Sequence, residues 1–261
     1  MHEKICPMRY IPNVITLLNL LCGCLAIAFL LTEGLVLLAT PEGTLYFDLP
    51  ASIGIASVLI GVAAVLDFLD GFVARLLKVE SPMGVQLDSL ADVVTFGVAP
   101  GMILFSFLRL SWSAEHTAMD SSIIYLLPAF LVPAAAAWRL ARFNTSPVHS
   151  DYFEGVPTPA IGLTVASFPL VYWMDGRSWM VSLLQEPWFL YAVAVVLSLL
   201  MVIRWPMISL KMKSLAWEPN KPRYLLLLIT IVSLAWLKWA AALPVFAFYV
   251  LVSLLFQKRI R

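Results

Sequence analysis

Long apolar runs with almost no charge recur along this chain, and they restrict its fold more than any other feature. A helix that crosses the hydrocarbon core of a bilayer needs about 20 mainly apolar residues. Such runs cover residues 11–31, 53–77, 83–108, 122–143, 160–174, 187–204, 224–238 and 240–256. The first is too long for the core of a secretory signal, and no small-x-small cleavage site follows it, so it reads as a true span. The last two amount to 33 residues, about 50 Å as one helix, which exceeds a single crossing. They read as a tight helical hairpin. Of the 261 residues, 61% are hydrophobic and 13% charged, whereas a soluble domain carries about a quarter charged residues. A water-soluble fold, a disordered chain and a coiled coil are therefore excluded. The fold class expected is an all-α polytopic membrane protein.

Charge placement supports eight crossings. Lys4, Arg9, Arg75, Lys78, Arg139, Arg142, Arg204, Lys211, Lys213, Lys221, Arg223, Lys258, Arg259 and Arg261 fall on one side of such a topology, and only Arg109, Arg177 and Lys238 on the other. Fourteen cations against three place both termini in the cytosol. Glu33, Glu42, Asp48, Glu115, Asp120, Asp175 and Glu186 read as solvated charges of the external loops. Trp112, Trp173, Trp179, Trp188, Trp205 and Trp217 sit near run ends, as an interfacial belt would. A net charge of +1 offers no basic field for nucleic acid. Cys6, Cys22 and Cys24 form no metal or disulfide pattern. His2, His116 and His149 fall in terminal or loop regions and read as surface residues.

Four carboxylates break the apolar pattern. Asp67 and Asp70 lie in the second run, Asp88 and Asp92 in the third. An aspartate at the bilayer centre costs about 2.5–3.5 kcal/mol on insertion scales, so it faces a cavity or a partner and marks function. Spacings of three and four residues put each pair on one helical face. Ser81-Pro82 reads as an N-cap followed by proline at the first helical position. Counted from a second-helix end near Leu77, Asp67 is about 15 Å deep and Asp70 about 10 Å. Counted from Pro82, Asp88 is about 9 Å deep and Asp92 about 15 Å. An antiparallel hairpin thus brings all four together, where they repel unless cations neutralise them. Hard oxygen ligands suit Mg²⁺ or Mn²⁺, with Ca²⁺ a further candidate. Gly71 and Gly84 beside the acids suggest close approach of a ligand to backbone, and Arg75 stands one turn further on to hold a phosphate.

These residues follow D-x2-D-G-x2-A-R-x8-G-x3-D-x3-D, with Asp67, Asp70, Gly71, Ala74, Arg75, Gly84, Asp88 and Asp92 at the eight fixed positions of a 26-residue window. In this the chain resembles the CDP-alcohol phosphatidyltransferase family. The resemblance implies a six-helix membrane core, usually dimeric, that binds a CDP-linked lipid at a two-metal site and releases CMP. It implies metal ligation by Asp67, Asp70 and Asp88, and a shared role for Asp92 as ligand and general base. It places Gly71, Ala74, Arg75 and Gly84 in the nucleotide pocket. The family's first helix tends to face that pocket, which brings in Asn13 and Thr16; Asn19 shares a helical face with Thr16.

Three further stretches, 88–100 (DSLADVVTFGVAP), 139–144 (RLARFN) and 153–159 (FEGVPTP), resemble the bacterial and archaeal type of phosphatidylserine synthase. This implies transfer of the phosphatidyl group of CDP-diacylglycerol to L-serine, giving phosphatidylserine and CMP, in a bacterial or archaeal plasma membrane. Arg139, Arg142 and Asn144 are then candidates for the lipid phosphate or the serine carboxylate, which a guanidinium fork suits. The other readings are a different acceptor (glycerol phosphate, inositol phosphate or choline) and a divalent-cation transporter. Against a transporter, no acidic series continues to the outer face. The expected organisation is a core over 1–210 and a loop with a helical hairpin over 211–261.

Overall fold

The computed structural model of the protein describes residues 10–79, 81–115, 122–145, 153–175, 178–208 and 217–255. His2, His116, His149, Cys6, Lys4, Arg9, Asp120, Arg177, Lys211, Lys213, Lys258, Arg259 and Arg261 lie outside the described residues, as do the side chains of Glu115, Asp175 and Trp217.

Each apolar run is mainly helical over its described residues. Helix α1 (Ile11–Thr32) buries Pro12, Thr16, Asn19, Gly23, Ala26 and Leu30, a single stripe at three- and four-residue steps. Small residues on that stripe let α2 (Ser52–Leu77) pack closely along it. The two helices are antiparallel: Thr16 meets Asp70 at one end, and Ser52 donates to Glu33 at the other. The second helix ends at Leu77 as expected. Lys78 takes a left-handed conformation (φ 54°) and turns its N–H back onto the last carbonyls. Ser81 then caps α3 (Pro82–Asp92), its hydroxyl accepting the Gly84 N–H at 3.0 Å.

The third run is not one regular helix. Immediately after Asp92 the chain widens into a π-helical segment, Val93–Val98, before α4 (Ala99–Glu115) resumes. The next helix, α5 (Leu131–Thr145), follows two short 3₁₀ turns at Ile123–Tyr125 and Leu127–Phe130. The π segment is gripped from two sides. A Cβ on Gly97 would stand 3.0 Å from the Ala136 methyl on α5, and one on Gly23 of α1 would overlap the Thr95 side chain. The Thr95 hydroxyl donates to the Asn19 carbonyl at 3.3 Å.

Helix α6 (Thr158–Leu170) runs into a π turn (Val171–Asp175) and packs with the Val93–Val98 segment and α4 through Phe96, Phe107, Ile161 and Phe168, all fully buried. Helices α7 (Ser178–Gln185) and α8 (Pro187–Val202) meet at a 77° bend. The chain reverses between α9 (Trp217–Leu237) and α10 (Ala242–Leu255), where Lys238 is left-handed (φ 46°). Leu226 and Val252 share a buried cluster with Ile208. A straight helix would separate them by about 39 Å, so the pair folds as a hairpin.

Among the described residues, four helical stretches are long and apolar enough to cross a membrane, namely Ile11–Thr32, Ser52–Leu77, Pro82–Ser113 and Asn220–Leu255, and α7 with α8 would add a fifth. The protein is a helical membrane protein. Two small ribbons depart from a purely helical expectation. Strands β1 (Val36–Ala39) and β2 (Leu45–Asp48) pair antiparallel, Val36 opposite Asp48, around a turn at Gly43 (φ 85°). Strands β3 (Phe153–Glu154) and β4 (Pro206–Met207) pair beside the start of α6. Asp48 is not merely solvated, for it accepts the Tyr172 hydroxyl at 2.6 Å and the Leu49 N–H at 2.8 Å, tying the first ribbon to the end of α6.

Candidate functional site

The hairpin of α2 and α3 does what its spacing predicts. One carboxylate oxygen each from Asp67, Asp70 and Asp88 lie within 4.8 Å of one another. Two unit charges at that separation repel by about 3–4 kcal/mol at an effective dielectric of 20. The nearby cations are few: Arg75 lies in the field of Asp70, and Arg139 in that of Asp92. Asp92 faces the same cluster from one turn beyond Asp88 and lies within reach of the Asp67 carboxyl. It is 6% exposed, and its Oδ1 has no hydrogen-bond partner. A buried carboxylate oxygen left unpaired costs several kcal/mol unless a ligand satisfies it. Three clustered carboxylates and an orphaned fourth, all hard oxygen donors, therefore fit divalent cations.

Helix α1 closes one wall. The Thr16 hydroxyl donates to Asp70 Oδ2 at 2.6 Å and lies 3.0 Å from the Pro12 carbonyl, so Thr16 fixes Asp70 rather than standing free for a ligand. Asn13 lies at the mouth of the site, its Oδ1 3.2 Å from where a Gly84 Cβ would be. Glycine at 84 is thus what admits Asn13 to the first turn of α3. At Gly71 a Cβ would meet only the Arg75 guanidinium, at 3.6 Å, so this position keeps the space between α2 and that cation open. Ala74 is half-buried and Arg75 exposed on the same helix.

Helix α5 supplies the opposite wall. Arg139 is 7% exposed and its Nε lacks a partner, so it is a charge held inside the protein on the Asp92 side. Arg142 is placed differently. It donates to the Val202 carbonyl at 2.7 Å, at the C-terminal end of α8, where it serves the helix end. Asn144 faces α3: its Nδ2 donates to the Ser89 hydroxyl at 2.9 Å and to Gln86 Oε1 at 3.3 Å. Ser89 lies between the two acids of α3, so this bond sets the rotation of the helix that carries them.

Two residues gain importance from the structure. Asn19 is fully buried with neither amide atom partnered, and the Thr158 hydroxyl at the start of α6 is also buried and unpartnered. A polar side chain inside an otherwise apolar run signalled Asn19 in advance. Thr158 and Ser89 lie inside the stretches 153–159 and 88–100, but nothing local marks either side chain within them. Together the orphaned atoms of Asp92, Asn19, Arg139 and Thr158 mark an interior built to hold polar ligands.

Comparison with known proteins agrees with this geometry. A family model described as CDP-alcohol phosphatidyltransferase matches residues 9–256. The chain is 32% identical over 207 residues to the CDP-diacylglycerol–serine O-phosphatidyltransferase of Mycobacterium leprae (strain TN), covering 77% of this chain and 58% of that protein. It is 31% identical over 235 residues to the protein of the same description from Mycobacterium bovis, covering 87% of this chain and 70% of the relative. For that of Bacillus subtilis (strain 168) the identity is 34% over 165 residues, 63% of this chain and 78% of the relative. The chain thus spans little more than half the length of the Mycobacterium leprae protein.

Proposed function

Because the chain belongs to the CDP-alcohol phosphatidyltransferase family, we propose that it transfers the phosphatidyl group of CDP-diacylglycerol to the hydroxyl of L-serine, yielding phosphatidylserine and CMP. The observation that carries this reading is the carboxylate cluster of Asp67, Asp70 and Asp88 with the orphaned Asp92 oxygen beside it. Serine as acceptor is supported by the descriptions of the relatives and by the three stretches around Asp88, Arg139 and Gly155.

Asp67, Asp70, Asp88 and Asp92 would hold divalent cations, Mg²⁺ or Mn²⁺ by ligand type and two in number by family resemblance. Cations bound there would supply positive charge against the diphosphate and the departing CMP. The chain's own residues do the rest. Thr16 orients Asp70, and Asn144 with Ser89 sets the face of α3. Arg75, on the open side of Gly71, receives a phosphate of the nucleotide. Asp92 accepts the proton of the serine hydroxyl as its oxygen bonds to the lipid-side phosphorus and the bond from that phosphorus to CMP breaks. We read this as direct displacement. Arg139, buried beside Asp92, offers its free Nε to the lipid phosphate or the serine carboxylate.

The test is a panel of alcohols with CDP-diacylglycerol and purified protein. L-serine is expected to give the lipid product, and glycerol phosphate, inositol phosphate and choline little. Excess EDTA is expected to abolish CMP release. Product from another alcohol in preference to serine would replace the acceptor, and full activity in chelator would remove the metal.

We also propose that all eight apolar runs cross the membrane, with both termini cytosolic, the core over 1–210 followed by the hairpin, and the chain paired as a homodimer. The fourteen-to-three distribution of cations supports the orientation. Reporter fusions after Glu218 and at the C-terminus should both report the cytosolic side, and an external C-terminus would refute the terminal hairpin as two crossings.

A further inference from the structure

At the end of the bundle opposite the aspartates, a cavity of about 90 Å³ opens between the end of α1, the start of α2 and the middle of α4. Its distance from the carboxylates follows from α2 alone: Ile53 lines it, and Asp67 is fourteen residues further on, about 21 Å along the helix. The walls are mostly apolar, with Ile53 and Phe105 inside and Leu31, 66% exposed, at the border. One cation lines it. Arg109 is half-buried on α4, about 9 Å short of that helix's end. Its guanidinium makes no hydrogen bond or ion pair with any described residue. The acid that shares the cavity, Glu33, is engaged instead by the Ser52 hydroxyl at 3.0 Å.

This arrangement is unusual for a membrane helix. A guanidinium beside apolar walls is costly without a direct partner, and among the described residues no carboxylate reaches ion-pair distance of Arg109, Glu33 included. The carrier of the charge also belongs to the side of the bundle with few cations, so retention by topology does not account for it. Gly34 explains why the group stays open. A Cβ there would stand 3.5 Å from an Arg109 terminal nitrogen, so any longer side chain at 34 would fill the space in front of it.

We propose that this cavity binds an anionic phospholipid from the leaflet opposite the aspartates. The phosphodiester sits on the Arg109 guanidinium, whose planar fork matches two of its oxygens. The glycerol and first acyl carbons lie along Ile53 and Phe105 and leave the cavity over Leu31. A small inorganic anion would satisfy the charge but leave the apolar walls unused.

Native mass spectrometry of the full chain, released from detergent with graded phosphatidylglycerol, phosphatidylcholine or inorganic phosphate, tests this. The wild type should retain one more phosphatidylglycerol than Arg109→Gln, which should bind that lipid about tenfold more weakly. Arg109→Lys should recover part of the difference. Gly34→Asp leaves Arg109 in place but sets a carboxylate before it, and should lose the same lipid. CMP release should be unchanged in Arg109→Gln, which shows the variant folded. Equal phosphatidylglycerol occupancy in wild type and Gly34→Asp would overturn the proposal even if Arg109→Gln failed to fold. Equal retention of phosphatidylcholine, or displacement of the lipid by inorganic phosphate at matched concentration, would overturn it as well.

Discussion

Asp67→Asn and Asp88→Asn are each expected to lower CMP release by about 10³-fold or more, because charge stabilisation at such a cluster is worth several kcal/mol and each 1.36 kcal/mol is tenfold in rate. The same substitutions should not weaken the fold. Each removes one member of a group of like charges packed within 4.8 Å, so thermal stability measured in EDTA should hold or rise. Activity lost together with stability would mean that the aspartates serve the helix packing instead. Thr16→Val separates the two roles further. It keeps every charge but deletes the 2.6 Å bond that orients Asp70, and it should cost about tenfold, in line with one hydrogen bond to a charged group.

Asp92→Asn is expected to reduce kcat by about 10²–10⁴-fold, the usual contribution of a positioned general base, with a smaller change in KM for serine. Its geometry separates it from the other three acids. Its Oδ1 is buried and unpartnered, whereas Asp70 already spends an oxygen on Thr16. Steady-state kinetics over a range of serine concentrations would read the split. A kcat within threefold of the wild type would exclude Asp92 as the proton acceptor.

Much of this site was readable because its determinants are local. Ser81 and Pro82 announce a helix start, Leu77 marks the end of a run, and the intervals between acids translate directly into faces and depths. Carboxylates that converge in space were therefore predictable from counting. What escaped depends on partners far along the chain. Asn144 can be picked out as a candidate polar residue of the site, but its bond to Ser89, 55 residues away, cannot. Arg142 can be picked out as a candidate anion-binding residue, but its bond to the end of α8, 60 residues away, cannot. The ribbon of β1 and β2 lies in what reads as a solvated loop, and Asp48 finds its partner 124 residues on. No interval in the sequence encodes such pairings. The widened turn after Asp92 is equally silent, since a single Gly97 among β-branched and aromatic residues does not specify it, and it forms where α1 and α5 both press against the same turn.

That widened turn has a mechanical effect. A π turn holds one more residue than an α turn, so Val93–Val98 advances the chain by about one residue, near 100° of rotation, relative to an uninterrupted α-helix. The lower half of this long helix can point Asp88 and Asp92 at the interior while the upper half turns Ile103 and Phe107 into the core. The segment acts as a phase coupling between two halves with different obligations. Reactive geometry and membrane packing in one helix thereby take separate rotational settings.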